Sequence, residues 1–336
     1  MHFRPRVADH RRTSASYAGR YRLKNLLSSH EAAWPQGGEA MRESASALGI
    51  GILHNPVVPD LLKSDPGMVD YVSIMPDLFW SDGGPGANPR FAESEPWMEF
   101  IDWACGRYPL IAHSVGLSLG SAVFSDDAYV EQLADWHRRY RFLWHSDHLS
   151  FAQVRSASGE EQNAGMAVAL PLDFEVLQLL TARIQALRPR LPSPFLVENA
   201  VAYVTFTDEE MSEPAFLNSL VRDSGCGLLL DLHNLYTSAR NHKFDASAFL
   251  RQLDLDAVVE VHVAGGTEED GIYTDAHSGP CPEAVWSLLE EIMPHTPNLK
   301  GVTFEFHDSY FSIFGAQDVR AQLDRARAIW HRHRPR

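Results

Sequence analysis

Acids, amides and imidazoles are spaced along this 336-residue chain in a way that calls for metal chemistry. Glu198, Asn199, Asp231, Asn234, His262, Asp275, His277 and Glu305 nearly all stand where a β-rich run ends, and His54, Asp77, His113, Asp147 and His148 hold similar places upstream. Burying even a neutral polar group unpaired costs roughly 2–7 kcal/mol, so a converging set must neutralise itself, hold water or hold metal. Asp275 and His277 are two apart, a spacing that puts both side chains on one side of an extended chain. Glu198 and Glu305 each carry two oxygens and can bridge two ions. Mixed imidazole and carboxylate donors suit iron, manganese or zinc. Taken singly, each residue has a plainer explanation, a satisfied core histidine or a capping acid or amide. Their order along the chain and shared place at strand ends favour a cluster.

From Leu48 onward, short β-rich runs alternate with stretches whose apolar residues recur every three or four positions, the pattern of repeated βα units. The strands are expected at Leu48–Leu53, Tyr71–Met75, Leu110–Val115, Phe142–His145, Phe195–Val197, Gly227–Leu232, Val258–Val263 and Val302–Phe306. Most are continuous apolar runs, as parallel strands buried on both faces should be. Helices are expected at Asp126–Tyr140, Phe174–Leu187, Pro214–Asp223, Ala246–Leu253, Pro282–Ile292 and Asp318–His331. The fold class is therefore α/β, a (β/α)8 TIM barrel forming a single domain over residues 46–336. A doubly wound open sheet would want a GxGxxG turn, which is missing, and would scatter the polar strand ends. In a barrel all C-terminal strand ends meet at one face, so distant residues become neighbours. Ser81–Pro89 and Ser156–Ala167 are rich in glycine and polar residues and are expected as long loops over that face.

Residues 1–45 are rich in arginine and poor in apolar periodicity, and are expected to be a poorly ordered N-terminal extension. No apolar run approaches the roughly 18 residues of a membrane helix. A net charge of −15 disfavours nucleic acid as a partner. Cys105, Cys226 and Cys281 are scattered and lack CxxC spacing, which fits a reducing cytoplasm and no thiolate site.

The runs GIGILHNP, IAHSVGLSLGS, SDHLSF, LVENAVAY, GLLLDLHNLYTSARNHKFD, VVEVHVAGG, YTDAHSGP and FEFHD, in this order over about residues 48–315, resemble the multinuclear non-heme iron-dependent oxidases. That family includes the methanobactin-biosynthesis oxidase. The resemblance implies a TIM barrel of the xylose-isomerase-like superfamily with two or three iron ions and dioxygen as co-substrate. It also implies a ribosomally made precursor peptide as substrate, modified at a cysteine, and a small partner protein with a peptide-recognition element. Carried over motif by motif, it implies His54, His113, Glu198, Asp231, Asn234, His262, Asp275, His277 and Glu305 as iron ligands. Asp147, His148, Asn199 and His233 are then candidates to orient those ligands by hydrogen bonds. Asn234 stands where related endonucleases carry a histidine, which weakens a zinc-hydrolase reading. Strand two departs from the common family pattern, with Ser73 and Asp77-Leu78 in place of a glutamate and a Glu-Asn pair. Two other classes remain: a zinc- or manganese-dependent hydrolase, lyase or sugar isomerase on the same barrel, and a non-catalytic scaffold.

Overall fold

The computed structural model describes residues 46–84, 86–121, 127–155 and 161–334. The expected extension, residues 1–45, lies outside the described residues. Eight strands, β1 (Gly49–Leu53), β2 (Tyr71–Ile74), β3 (Leu110–Ser114), β4 (His145–His148), β5 (Phe195–Glu198), β6 (Gly227–Asp231), β7 (Val258–Val263) and β8 (Gly301–Phe304), pair in parallel and close into a barrel. Neighbours in sequence are neighbours in the barrel, and β8 closes on β1. The strands are buried almost end to end, as continuous apolar runs require; only His148, at the rim, is partly exposed.

The pleat decides which residues reach the lumen. Tyr71, Ile111, Trp144, Leu196, Leu229 and Val259 form a small apolar cluster inside the barrel, while alternate residues join the main core against the helices. The Tyr71 ring fits because Gly51 and Gly301 flank it; a Cβ at either would collide with that ring. In β7 the register shifts. Leu228 pairs with Val258 but Leu229 pairs with Glu260, so one extra residue is accommodated at Val259. A bulge of this kind re-aims the side chains beyond it, and Glu260 and His262 then share the lumen face with Leu229 and Asp231.

Helices follow every strand. They run over Val58–Ser64, Glu95–Cys105, Asp127–Tyr140, Phe174–Leu187, Glu213–Ser224, Leu232–His242 with Ala246–Leu250, Glu283–Ile292 and Phe311–His333, the last kinked at Gly315. The expected helix start at Asp126 lies outside the described residues. The fourth strand is displaced from its expected place at Phe142–His145, because His145–Ser146–Asp147–His148 pairs with β3 and β5 despite its polarity. The helix Leu232–His242 starts directly from β6, capped by Asp231. Short hairpins grow from the C-terminal face: Trp80–Asp82 with Phe91–Glu93, Ser150–Arg155 with Glu161–Ala169, and Thr267–Glu269 with Ile272–Thr274. The first two include much of the segments expected as loops; residues 156–160 are outside the described part. Among the described residues no helix is long and apolar enough to cross a membrane.

Candidate metal centre

At the C-terminal mouth the lumen-facing strand ends bring their polar groups together. Glu198 is the hub. Its Oε2 lies 3.1 Å from His148 Nε2 and 3.4 Å from His113 Nε2, and its Oε1 lies 3.6 Å from His262 Nδ1. Glu305 is a second hub, with Oε1 2.8 Å from His262 Nδ1 and Oε2 3.4 Å from His277 Nε2. Asp275 Oδ1 receives His277 Nε2 at 2.9 Å and His233 Nδ1 at 2.7 Å. Among the described residues, four sets of three donors each gather within 4.8 Å: His113–His148–Glu198, His113–His262–Glu305, Glu198–Asp231–His262 and His233–Asp275–His277.

The carriers of these donors are themselves held. Asn199 clamps the ends of β5 and β6: its Nδ2 donates to Asp231 O at 2.9 Å and its Oδ1 accepts from Asp231 N–H at 2.8 Å. Asp231 uses Oδ1 to cap the following helix, accepting from Asn234 N–H at 2.7 Å, and Asn234 Nδ2 donates to Asn199 O at 3.0 Å. That arrangement occupies one side of each group and leaves the other, Asp231 Oδ2 and Asn234 Oδ1, buried without a hydrogen-bond partner. His113 is fixed by Ser146, its register partner on β4. Ser146 Oγ donates to Ala112 O at 3.3 Å, so it accepts from His113 Nδ1 at 2.9 Å, and the Nε2 lone pair is free. His277 holds a left-handed backbone, φ 50°, anchored where His307 N–H donates to its carbonyl at 2.9 Å. Backbone held in that region costs on the order of 1–3 kcal/mol and persists where surroundings enforce it.

Burial and the neighbouring charges push the titratable groups of the cluster in opposite directions. Burial pushes the Glu198 carboxyl well above the usual carboxylate range. Burial, with Glu305 and Asp275 nearby, raises Asp231 to about 6. Burial opposes charge on His262, but Glu305 and Glu260 outweigh it and hold the imidazole pKa well above 6.5. At His277 burial is likewise overcome, chiefly by Asp275, and the pKa stands at about 10. Their acids move the other way: despite burial, His262 and His277 bring Glu305 down to about 2, and His277 with His233 depresses Asp275. Burial lowers His113 and His148. Cations suit this donor set: Glu198 Oε2, Asp231 Oδ2, Asn234 Oδ1, His262 Nδ1 and His277 Nε2 are all buried and make no hydrogen bond of sound geometry, although His262 Nδ1 lies 2.8 Å from Glu305 Oε1 and His277 Nε2 2.9 Å from Asp275 Oδ1.

Of the residues expected from sequence as ligands, the barrel gathers His113, Glu198, Asp231, Asn234, His262, Asp275, His277 and Glu305. It does not gather His54. His54 follows Leu53, and the pleat turns it away from the lumen into the helix layer, against Phe79, Trp97 and Phe100. Both its ring nitrogens lack hydrogen-bond partners, and burial lowers its pKa to about 3. His148, expected to orient ligands from behind, instead faces Glu198 directly. Asp147 takes the outward side and accepts from Leu117 N–H at 3.1 Å, tying down the loop after β3. Asp77, in the turn after β2, holds the same loop from the other side, accepting from Val115 N–H and the Tyr129 hydroxyl. Two supporting groups escaped the sequence reading. Ser146 has no signal of its own. Glu260 does have one: in VVEVHV it sits two residues before His262 and therefore shares its pleat face.

Beside the cluster lies a cavity of about 410 Å³. It starts one residue past His148 and Asn199, at Leu149 and Ala200, and runs between Leu172, Leu217, Ala248 and Phe249, with Glu209, Glu213 and Asp245 among its polar residues.

Fold and site together define a TIM barrel with an imidazole–carboxylate cluster of metal-binding type at its C-terminal mouth. Residues 47–331 match the family described as RiPP precursor modification enzyme MbnB/TglH/ChrH, and the chain belongs to that family: it is an enzyme that modifies a precursor peptide. It is 32% identical over 283 residues to a UPF0276 protein of Caulobacter vibrioides, covering 84% of this chain and 94% of the relative. A UPF0276 protein of Bordetella pertussis is 37% identical over 234 residues, 68% of this chain and 75% of its own length. Among solved structures, endonuclease IV from Thermus thermophilus superposes with a TM-score of 0.52 at 15% identity, over 85% of this chain and 99% of its own. D-psicose 3-epimerase from Clostridium cellulolyticum gives 0.51 at 11% identity, over 83% and 98%. At such identities these likenesses establish the barrel alone.

Proposed function

We propose that this enzyme holds two or three iron ions and uses dioxygen to oxidise a cysteine of its precursor peptide. The observation that carries this reading is the sharing of carboxylates. Glu198 faces three imidazoles through two oxygens, and Glu305 shares one of them, His262, and adds His277, which suits adjacent ions held by common acids. The ligands proposed are His113, His148, Glu198, Asp231, Asn234, His262, Asp275, His277 and Glu305. Imidazole and carboxylate oxygen are donors that iron accepts, and no cysteine of the chain joins them. Bound ferrous ions would supply electrons to dioxygen, a chemistry no side chain here performs unaided.

The chain's own part is positioning and proton handling. Protons held on His262, His277 and Glu198 leave as ions enter, so loading is coupled to proton release. His233 steadies Asp275 from behind at 2.7 Å. The apolar cavity starting at Leu149 and Ala200 offers room for a peptide side chain next to the centre. A small partner protein carrying a peptide-recognition element delivers the precursor, and the reaction belongs to the cytoplasm.

Co-expression with the precursor peptide, iron and air, followed by mass spectrometry of the peptide, tests the reading. A mass change that requires both iron and dioxygen is expected. A modified peptide from zinc- or manganese-loaded enzyme under anaerobic conditions would replace the oxidase by a hydrolase, lyase or isomerase.

A further inference from the structure

We propose that Glu260 is a positioning residue that sets which nitrogen of His262 faces the metal centre. The inference rests on reading the lumen cluster as a metal site. Glu260 is wholly buried on β7, below His262 and on the same face. Its Oε1 lies 3.0 Å from His262 Nε2 and accepts from Thr303 Oγ1 at 2.5 Å; its Oε2 accepts from Trp144 Nε1 at 2.7 Å. An indole N–H can only donate. The Thr303 hydroxyl spends its hydrogen on Glu260, so the Tyr71 hydroxyl, 2.7 Å away, donates to Thr303. Every neighbour thus turns a hydrogen toward the carboxylate, and His262 must do the same through Nε2. Nδ1 is left to face Glu198 and Glu305.

A carboxylate is required, not merely its shape. Glutamine offers a single oxygen. With that oxygen toward His262, the amide hydrogens meet the Trp144 N–H, donor against donor. With it toward Trp144, the amide donates to His262 Nε2 and drives the imidazole proton to Nδ1, where the ion must bind. Outer groups of this type typically alter metal affinity by about 10–100-fold.

The test uses the full-length protein, zinc(II) as a diamagnetic probe, and nitrogen NMR of its histidines. In the wild type, His262 should coordinate through Nδ1 and keep its proton on Nε2. Glu260→Gln should weaken zinc binding about 10–100-fold by chelator competition and lose the protonated Nε2 signal. Trp144→Phe, which leaves the carboxylate facing His262, should keep affinity within about threefold and retain that signal. A wild-type His262 coordinated through Nε2 overturns the proposal, even if Glu260→Gln fails to fold. So does a Glu260→Gln protein that binds zinc as tightly as wild type. A wild-type protein that takes up no metal overturns instead the metal-site reading beneath it.

Discussion

His148 Nε2 lies 3.1 Å from Glu198 Oε2, and the two residues are direct partners in the register between β4 and β5. That pairing puts His148 inside the ring of donors. His54 faces the opposite way, into an aromatic nest beneath the helix Glu95–Cys105. The two histidines should therefore separate cleanly on mutation. His148→Ala is expected to remove at least one iron per chain, and His54→Leu to leave iron content within about a tenth of wild type and stability within about 1.5 kcal/mol, since an imidazole without hydrogen-bond partners gives way to an apolar side chain of similar size. Elemental analysis of both proteins, purified side by side, checks this.

The same pair shows where sequence was informative and where it was not. Continuous apolar strands marked seven of the barrel strands closely, because burial on both faces leaves a compositional trace. The fourth strand carries His145, Ser146, Asp147 and His148, polar residues tolerated because the lumen, the centre and the loop after β3 each satisfy some of them. Apolarity pulled its expected position three residues early, which left His148 outside the strand and among the groups expected only to orient ligands. His54 had the right residue type at a strand end but the wrong pleat parity, which depends on where β1 ends. Glu305, His262 and Asp231 were legible because each lies on the lumen side of an otherwise apolar strand. The role of Glu260 is hidden in sequence because its partners, Trp144 and Thr303, are far from it along the chain.

Asn199 is a clamp between two strands that carry proposed ligands. Asn199→Ala removes the side-chain partners of the Asp231 N–H and carbonyl, at roughly 1–3 kcal/mol for a buried group left unsatisfied. The metal-free protein should melt several degrees lower by calorimetry, and its iron should be held more weakly because Glu198 and Asp231 are no longer tied together. An unchanged melting temperature together with unchanged iron content would remove this role.

Iron loading should depend on pH. His277, raised to about 10, and His262, raised above 6.5, are protonated in the metal-free protein near neutrality, and an entering ion must displace those protons. Apparent affinity should rise between about pH 6 and 8, with protons released on binding, as calorimetry in buffers of different ionisation enthalpy measures. The metal-free fold behaves differently. A histidine raised by folding stabilises fully below its unfolded pKa of 6.5 and loses that contribution as pH climbs through 10. Glu305, lowered to about 2, contributes above 4.5 and loses its contribution as pH falls through 2. The metal-free protein should thus lose these ion-pair contributions at both ends, while the metal affinity climbs through the middle.

Ala248 lines the cavity beside the centre. Ala248→Trp should fill much of that space without reaching any proposed ligand. Iron content is expected to stay as in wild type, and the KM for the precursor peptide to rise about tenfold, equivalent to about 1.4 kcal/mol. Steady-state kinetics followed by mass spectrometry measure both arms. Unchanged kinetics would place the peptide elsewhere.

The most direct measurement is an anaerobic titration of the metal-free protein with isotopically enriched ferrous iron, counted by Mössbauer spectroscopy. Glu198 and Glu305, each facing donors on two sides, predict two or three irons per chain in distinguishable environments, with at least two magnetically coupled once oxidised. A protein that saturates at one iron, or holds none, would contradict the account.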